Sequence, residues 1–371
     1  MKTWHLLTPE YPPLCGGVGD YTALVAAGLA GAGDEVHVWH PPGPDVQSGN
    51  GLRLTVHRLP DRFGRESRRL VTAALAAAPG IVVAQYVPAA FGVRGLNLAF
   101  CHWMSRLRRG GADVRVMFHE PFFYFGASRP WRNVFAVGQR VMAAMLLRAS
   151  TRVYYSTETW TRLLARYGRP SCVEVLPIPS TIPREVAPEA VVAARSTHRA
   201  EFVIGHFGSY GEHVGGELRH LLPALLRGLP AARVLLVGGG GEAFAGALPP
   251  DVRDRVDATG RLSGLQAAAA LRACDLLVQP YPDGVTTRRT SVMSGLTTGV
   301  PVLTSSGALT ESVWARSSAV ALAPAGDVKA FVAAAARLST DPRERAALGA
   351  RGLALYDAEF ALDITIERMR R

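Results

Sequence analysis

Lysine is almost absent from this chain of 371 residues, in which two lysines stand against 39 arginines. The formal net charge is nevertheless +11, which favours an anionic partner such as a phosphate-bearing substrate or an anionic membrane surface. A compositional bias towards arginine and alanine would account for the same count. No basic run is interleaved with aromatic residues, so nucleic-acid binding is not expected.

Cysteine and long apolar runs are also scarce. The four cysteines are far apart and form no Cys-x-x-Cys pair, which predicts free thiols in a reducing cytoplasm and no zinc site; they are Cys15, Cys101, Cys172 and Cys274. No apolar run reaches the ~18 residues of a membrane-spanning helix. The N-terminal residues lack the pattern of a signal peptide. We therefore expect a cytoplasmic protein.

Strand-like apolar runs alternate with helix-like runs along the whole chain, which predicts parallel sheets built from βαβ units. The strand-like runs are 3–8, 35–40, 52–59, 80–86, 114–119, 151–156, 201–208, 232–238, 275–281, 300–305 and 319–324. Residues 177–200 carry four prolines and no strand pattern. We predict an α/β fold with two doubly wound domains, 1–180 and 201–355, a linker at 181–200, and a C-terminal helix at 356–371 that packs back on the first domain.

Ligands in such sheets bind at the carboxyl ends of the strands, so the loops that follow strands are the candidate sites. After the first strand, Gly16 and Gly17 precede a helix whose N-terminus could hold a phosphate. Asp20 in the same loop is either a helix cap or a base for an acceptor hydroxyl. His119 ends another strand, where it is either structural or a hydrogen-bonding group of the site.

Several segments together resemble glycosyltransferase family 4, a family of mostly retaining enzymes with the GT-B fold. The matching segments occur in the family's order and are GGVGDYT (16–22), QYVPAAFGVRG (85–95), FHEP (118–121), PYPDGVTTRRTSVMSGLTTGVPVLTS (280–305) and GALTESVW (307–314). The resemblance implies two Rossmann-like domains facing each other across a cleft. It also implies an acceptor-binding first domain, a donor-binding second domain, and His119 beside the donor sugar.

The donor segment departs from the family pattern of two glutamates separated by seven residues. The second glutamate, which contacts ribose in the family, falls at Ser294, and the first, which contacts the donor sugar, falls at Thr286 or, with an insertion, at Asp283 beside Gly284. The family's phosphate-gripping arginine and lysine fall at Ser209 and about Gly215. We predict that Arg288 and Arg289 replace them, since Thr290 or Ser291 could cap the following helix beside them.

An aromatic run at 122–131 follows FHEP, with Arg129, Arg132 and Arg140 close by. It predicts either a packed loop or an acceptor-side patch that contacts a membrane or a lipid-linked acceptor. No Asp-x-Asp triplet occurs. Together with the GT-B resemblance, this predicts that no metal holds the donor diphosphate and that no cofactor is needed.

The predicted function is transfer of a sugar, typically a hexose in polysaccharide biosynthesis, from a nucleotide-sugar to a glycan, lipid-linked or small-molecule hydroxyl acceptor. Three alternatives remain open. A nucleotide-sugar epimerase of the same fold would convert donor without acceptor. A non-catalytic nucleotide-sugar-binding protein is compatible with the missing glutamates. The third alternative is an NAD-dependent oxidoreductase, in which the glycine-rich run VGGGGEAF (237–244) would bind the dinucleotide.

Overall fold

A computed structural model describes residues 1–14, 16–43, 53–88, 91–92, 95–126, 133–198 and 200–371. The chain divides into two units. The first unit combines Met1–Pro177 with Leu362–Arg371, and the second is Ile178–Ala361. The segment 181–200 thus lies within the second unit and contains a helix of its own.

The first unit is built on a parallel sheet, which has seven strands within the described residues, in the order β3-β2-β1-β4-β5-β6-β7. The strands are β1 (Thr3–Leu7), β2 (Glu35–His40), β3 (Leu54–Arg58), β4 (Ile81–Tyr86), β5 (Asp113–Phe118), β6 (Arg152–Tyr155) and β7 (Val173–Val175). All six residues of β4 are buried. This burial explains the continuous apolar run in its sequence, because helices cover both faces of a parallel sheet.

Five helices connect these strands within the described residues: α1 (Gly17–Gly31), α2 (Arg65–Ala77), α3 (Leu98–Arg109), α4 (Asn133–Ala149) and α5 (Glu158–Leu164). The helices α2 to α5 share one face of the sheet, since each belongs to a right-handed crossover in the same direction. One apolar cluster on that face joins residues from all four, including Val71, Phe100, Met142 and Trp160. The helix α1 returns in the opposite direction and covers the other face.

The second unit repeats the arrangement, with six parallel strands among its described residues, in the order β10-β9-β8-β11-β12-β13. They are β8 (Phe202–Phe207), β9 (Ala232–Val237), β10 (Val256–Ala258), β11 (Leu276–Gln279), β12 (Val302–Ser306) and β13 (Ala321–Pro324). The helices are α6 (Pro188–Ser196), α7 (Glu212–Gly228), α8 (Gly241–Gly246), α9 (Pro250–Arg253), α10 (Gly264–Arg272), α11 (Thr290–Thr298), α12 (Ser312–Ser317), α13 (Val328–Thr340) and α14 (Pro342–Leu355), followed by a π-helical turn at Tyr356–Phe360. Both sheets have the doubly wound order that the sequence predicts.

The last helix, α15 (Leu362–Arg370), belongs to the first unit. Gly28 of α1 leaves room for it, because a Cβ at this glycine would come within 2.8 Å of the Ile366 side chain. Arg370 forms an ion pair with the fully buried Asp34 at 2.8 Å. Nη1 of the buried Arg115 donates to the carbonyl of Met369 at 2.7 Å. The C-terminal helix is therefore held to the first unit by an ion pair and a hydrogen bond, each of which involves a buried charged side chain of that unit.

Eleven of the thirteen strands found within the described residues coincide with predicted runs, and the short edge strands β7 and β10 were not predicted. Across the same residues, none of the helices combines the length and the apolar character needed to cross a membrane. Cys101, Cys172 and Cys274 are free thiols, whereas Cys15 falls outside the described residues.

Candidate functional site

In each unit the strand order reverses next to the first strand, between β1 and β4 and between β8 and β11. The crevice at the carboxyl ends of the strands at such a reversal is the usual ligand site of doubly wound sheets. All the predicted site residues lie in or near the loops and helix starts at these two edges, which are described one unit at a time.

His119 directly follows β5 and is buried, with 8% of its surface exposed. Its Nε2 lies 2.9 Å from Oε1 of Gln85, near the end of β4. Because an amide oxygen only accepts, Nε2 donates, and Nδ1 is the lone-pair nitrogen of the neutral ring. Tyr21 of α1 meets the imidazole edge-on, with ring centroids 4.9 Å apart. Three elements of the first unit thus converge on this imidazole.

The backbone of His119 is also fixed. Its carbonyl accepts hydrogen bonds from Ser156 Oγ and from Trp160 Nε1, each at 3.2 Å. Gln85 is fully buried, and its Nε2 has no partner among the described residues. The sequence analysis missed Gln85, although a glutamine in the otherwise apolar run IVVAQY is a visible signal. A buried amide without a partner is costly and marks this strand end as a place where a polar ligand could bind.

The N-terminus of α1 is occupied by a carboxylate from the chain itself. Oε1 of Glu10 accepts from the backbone N–H groups of Val18 at 3.0 Å and Gly19 at 3.1 Å. A Cβ at Gly16 would lie 2.1 Å from this carboxylate, so the glycine is needed for the approach of Glu10. The phosphate site at Gly16 and Gly17 stays a prediction, and a phosphate there would have to displace the Glu10 carboxylate from these N–H groups.

Asp20 is exposed in the first turn of α1. The N-cap of this helix is Gly16, and no side chain caps it there. The alternative that Asp20 caps the helix is therefore wrong, since its position is four residues beyond the cap. Its role towards an acceptor hydroxyl stays a prediction.

In the second unit, Arg288 and Arg289 end the loop that leads from β11 into α11. Arg289 is the N-cap residue of α11, which begins at Thr290, so neither Thr290 nor Ser291 is the N-cap residue that was predicted. The Arg289 guanidinium lies over the ring of Tyr281, 4.3 Å from its centroid. Burial raises the pKa of Tyr281, and the positive charge of Arg289 offsets part of this rise. Two cations thus lie beside the positive end of a helix, a combination that suits an anion.

The loop before these arginines is held by Glu311, which the sequence analysis did not single out. Glu311 is buried, with 6% of its surface exposed, and its carboxylate accepts from both the backbone N–H and the hydroxyl of Thr287. The hydroxyl bond is 2.8 Å long. The Arg289 N–H in turn donates to the carbonyl of Thr286 at 3.0 Å, which closes a turn. The two arginines therefore leave a tightly fixed turn.

The predicted donor-sugar positions differ in their surroundings. Asp283 is exposed, and its carbonyl accepts from Leu309 N–H. Gly284 has a φ of 88°, and a Cβ there would lie 2.4 Å from Gly307 N, so this glycine serves the packing of two loops. Thr286 is 1% exposed, and its hydroxyl has no partner among the described residues. Of the three positions, Thr286 has the buried polar group that a ligand could satisfy.

Ser294 lies inside α11 and is fully buried. Its hydroxyl donates to the carbonyl of Thr290 at 2.8 Å and pairs with the hydroxyl of Ser180 at 3.3 Å. Ser180 N–H donates to the phenol of Tyr356. Through these bonds the serine joins α11 to the start of the second unit. A ribose contact at Ser294 stays a prediction.

Ser209 is exposed in the loop between β8 and α7. The N-cap residue of α7 is Gly211, which has no side chain of its own to cap the helix. Two buried polar groups end the neighbouring strands. His206 of β8 has no partner for either ring nitrogen among the described residues, and burial lowers its pKa to about 3. Gln279 of β11 likewise has an unpartnered Nε2.

In the described part of the predicted membrane patch, Arg140 packs against aromatic rings of the same patch. The Arg140 guanidinium lies 4.1 Å from the ring centroid of Phe122 and 3.9 Å from that of Phe125. Tyr124 and Phe125 are more than half exposed, at 58% and 56%. The rest of the patch, including Arg129 and Arg132, lies outside the described residues.

A metal site was not predicted from the sequence. Within the described residues, no group of three or more His, Cys, Asp and Glu side chains could hold a metal.

Comparison with known proteins agrees with this geometry. Residues 201–341 match the family described as Glycosyl transferases group 1. The second unit therefore contains a domain that matches this family, and the chain has the GT-B fold. The match lies in the second unit and includes both the 281–294 segment and the glycine-rich run at 237–244. The glycosyltransferase family 4 resemblance stays a prediction at that finer level.

Solved structures cover almost the whole chain at low identity. Sucrose-phosphate synthase (tll1590) from Thermosynechococcus elongatus is 17% identical, with a TM-score of 0.76, over 100% of this chain and 98% of its own. Alr3699/HepE from Anabaena, in complex with UDP, is 14% identical with a TM-score of 0.71 over the same shares. WaaG, a glycosyltransferase involved in lipopolysaccharide biosynthesis, is 17% identical with a TM-score of 0.67 over 99% and 98%. Comparison with curated protein sequences gives no match.

Proposed function

We propose that the chain transfers a sugar, typically a hexose, from a nucleoside-diphosphate sugar to a hydroxyl acceptor with retention of configuration. The second unit binds the donor, and the first unit binds the acceptor. Neither a metal nor a cofactor is required. The free thiols of Cys101, Cys172 and Cys274 favour a reducing compartment such as the cytoplasm, and polysaccharide biosynthesis is the corresponding process.

The observation that carries this proposal is the cationic carboxyl edge of the second sheet. Arg288 and Arg289 stand at the start of α11, and α7 starts after β8 with Gly211 as its N-cap residue, so two helix N-termini lie at this edge of the sheet. A diphosphate carries about two negative charges, and arginine binds phosphate through two parallel N–H donors. The partnerless polar atoms of Thr286 and Gln279 at the same edge would contribute to binding the remainder of the donor.

The chemical need in sugar transfer is to stabilise the leaving diphosphate, on which negative charge grows as the glycosidic bond breaks. Fixed N–H groups and guanidinium groups aimed at that charge lower the barrier, because they need no reorganisation during the reaction. Glu311 fixes the turn from which the arginines leave, by accepting two hydrogen bonds from Thr287. In this proposal the arginines contact the donor, and Glu311 is a positioning residue.

In the first unit, His119 and Asp20 are the groups proposed to act beside the reacting sugars. The contact between Nε2 of His119 and Gln85 holds the imidazole at the end of β5, where the ring is the group proposed to hydrogen-bond a sugar hydroxyl. Asp20, exposed in the first turn of α1, is the proposed group for the acceptor hydroxyl. Contact with a membrane or lipid-linked acceptor through the 122–126 aromatics remains part of this proposal.

The test begins with thermal shifts of the full chain against nucleoside diphosphates and their sugars, with UDP first because the HepE structure contains UDP. A ligand at ~100 times its dissociation constant adds ~2.7 kcal/mol of stability. Ligands that stabilise the chain are then assayed for transfer to hydroxyl acceptors with excess chelator. Stabilisation by a nucleotide-sugar and chelator-resistant transfer are expected. A chain that no nucleotide stabilises, or that transfers only after manganese or magnesium is restored, contradicts the proposal.

A non-catalytic donor-binding protein is the second candidate, favoured by one observation. Neither Thr286 nor Ser294 carries a carboxylate, and the Ser294 hydroxyl is used within the fold. Such a protein would bind the nucleotide-sugar and release neither free sugar nor transfer product. An epimerase would instead convert the donor without acceptor, and a nicotinamide enzyme would change nicotinamide absorbance. Product analysis of the same reactions separates these outcomes.

A further inference from the structure

A large groove lies on the helical face of the first unit, between α2 and α3, with a cavity volume of about 1310 Å³. Its walls are single faces of the two helices. Arg65, Arg68, Arg69 and Thr72 come from α2, and His102 and Arg106 come from α3. Spacings of three and four residues bring such side chains to one side of a helix. The groove is therefore a continuous feature of two facing helices.

The groove is basic at its rim and apolar at its floor. Trp103 is 8% exposed, and its indole N–H donates to Thr72 Oγ1 at 3.0 Å, so the ring offers only apolar surface. Leu75 and Leu107 are half-buried beside it and pack against the core of the unit. Such a floor suits an alkyl or aromatic group, whereas the arginines at the rim suit an anion.

Folding alone does not account for these arginines. Arg65, Arg68 and Arg69 lie in the first two turns of α2, where the positive end of the helix dipole disfavours cations. None of the three, nor Arg106, forms an ion pair with an acid in the described part of the chain. Asp113 also lines the groove, but Arg115 neutralises it at 2.8 Å. The positive charge at the rim is thus left available to a ligand.

The position of the groove separates it from the strand ends that carry His119 and Gln85 in the same unit. Part of its lining comes from the amino ends of β4 and β5, at Gly80, Gly110, Gly111 and Asp113. His119 and Gln85 lie at the carboxyl ends of the same strands. Sheet ligands bind at the carboxyl ends, so the groove serves a second ligand.

We propose that this groove binds a phosphate-bearing amphiphile. Its phosphate lies among Arg65, Arg68, Arg69 and Arg106, and its apolar part lies on Trp103, Leu75 and Leu107. Two sources share this chemistry, a phospholipid within a bilayer and a free phosphorylated amphiphile. Leu70 and Leu98, on the same two helices, are nearly half exposed, at 48% and 47%, and would enter a bilayer if the phosphate is a lipid headgroup.

The test measures binding, independent of any activity, on the full chain. Calorimetry uses short-chain phosphatidic acid below its micelle concentration, with inorganic pyrophosphate as the anion that has no apolar part. Co-sedimentation uses phosphatidylcholine vesicles with and without phosphatidylglycerol. The groove variant is Arg68→Gln/Arg69→Gln. The matched control is Arg166→Gln/Arg169→Gln, which removes the same charge from exposed positions of the same unit. Ala99→Glu adds a carboxylate at an exposed groove position without changing the core.

The parent is expected to bind phosphatidic acid more tightly than pyrophosphate, and the groove variant to lose about tenfold or more in affinity. Ala99→Glu should lose binding as well, while the control changes little. Binding of anionic vesicles alone, lost in the same variants, supports the bilayer source. Equal losses in the groove and control variants, equal affinity for pyrophosphate, or no binding to either lipid form overturns the proposal.

Discussion

Glu10 and Val18 are joined by a hydrogen bond of 3.0 Å between the Glu10 carboxylate and the Val18 backbone N–H, at the N-terminus of α1. The same oxygen accepts from Gly19. A glycine-rich loop before a helix, which resembles a phosphate site in sequence, is therefore filled from within the chain. The glycines are needed because the Glu10 carboxylate approaches the backbone closely. A bound phosphate would require glycines for the same reason.

We predict that Glu10→Ala lowers the free energy of unfolding by about 1–3 kcal/mol, because two helix N–H groups lose a charged acceptor. The measurement is urea unfolding. Glu66→Gln is the control, since Glu66 is an exposed carboxylate in the first turn of α2. The emptied helix end should also gain affinity for phosphate, so added phosphate should stabilise the variant more than the parent. Equal stabilisation of both would show that Glu10 does not block an anion site.

Replacing Arg288 or Arg289 by glutamine should weaken nucleoside-diphosphate binding by about 1.5–3 kcal/mol for each arginine that contacts the phosphates, the range for a charged hydrogen bond. Isothermal calorimetry of the two single variants and the double variant measures this. Arg343→Gln removes the same charge from an exposed position of α14 and should leave the affinity unchanged. Parent-like binding by all three variants would place the phosphates elsewhere.

The sequence predicted the fold well because its signals are local and repeated. Buried parallel strands read as continuous apolar runs, and eleven of these runs became strands. The two missed strands, β7 and β10, have three residues each and carry Glu174 and Asp257 at their centres. Such short, charged strands at sheet edges have neither an apolar run nor a clear alternation, and only their neighbours in the sheet make them strands.

The site was predicted less completely, for reasons that lie in tertiary contacts. Whether Ser294 faces ribose or the interior depends on Ser180, which is far away in sequence. Whether Gly16 faces a phosphate or Glu10 depends on how a loop of several residues turns back. Gln85 and Gln279 carried a usable signal, a polar side chain at the end of an apolar strand in each unit. Glu311 carried no such signal, because only the packing of two loops brings it to its partner Thr287.

His119→Ala should reduce turnover by about 10²-fold or more if the imidazole acts on the reacting sugar, with little change in melting temperature. Gln85→Leu should lower turnover as well, because the glutamine holds the orientation of the ring. Gln139→Leu is the matched control: Gln139 is also fully buried in the first unit but accepts from the backbone of Phe123. A large loss of stability with normal turnover in His119→Ala would assign the histidine a structural role.

Three histidines lie side by side on β1, β2 and β3, and they make the first unit sensitive to acid. His57 Nε2 is 3.0 Å from His37 Nδ1, so one ring must donate and the other must accept. The His57 ring also stacks on Trp39 with centroids 3.9 Å apart, and His5 stacks on His37. Burial, then the charges of His37 and His5, lowers the pKa of His57 from 6.5 to about 4.

The sign of the effect follows from this lowered pKa. Below pH 6.5 His57 is protonated in the unfolded chain, whereas in the folded chain it stays neutral until the pH falls to about 4. The contribution of the neutral His57 to the free energy of unfolding is therefore fully present above pH 6.5, and it is lost as the pH falls towards 4. Because His57 is only half-buried, we discount the full shift and expect this residue to contribute about 1–2 kcal/mol of the loss. His57→Phe keeps the stacking on Trp39 and removes the titrating group.

Urea unfolding of the parent and of His57→Phe, above pH 6.5 and near pH 4, measures the contribution as a difference of differences. The variant should lose less stability on acidification than the parent. His220→Gln, at an exposed position of α7, should lose as much as the parent. If His57→Phe loses as much as the parent, the acid sensitivity comes from other groups. The buried His5 and His206, whose pKa values burial also lowers, would then be the next residues to replace, since each of them must accept a proton when the chain unfolds in acid.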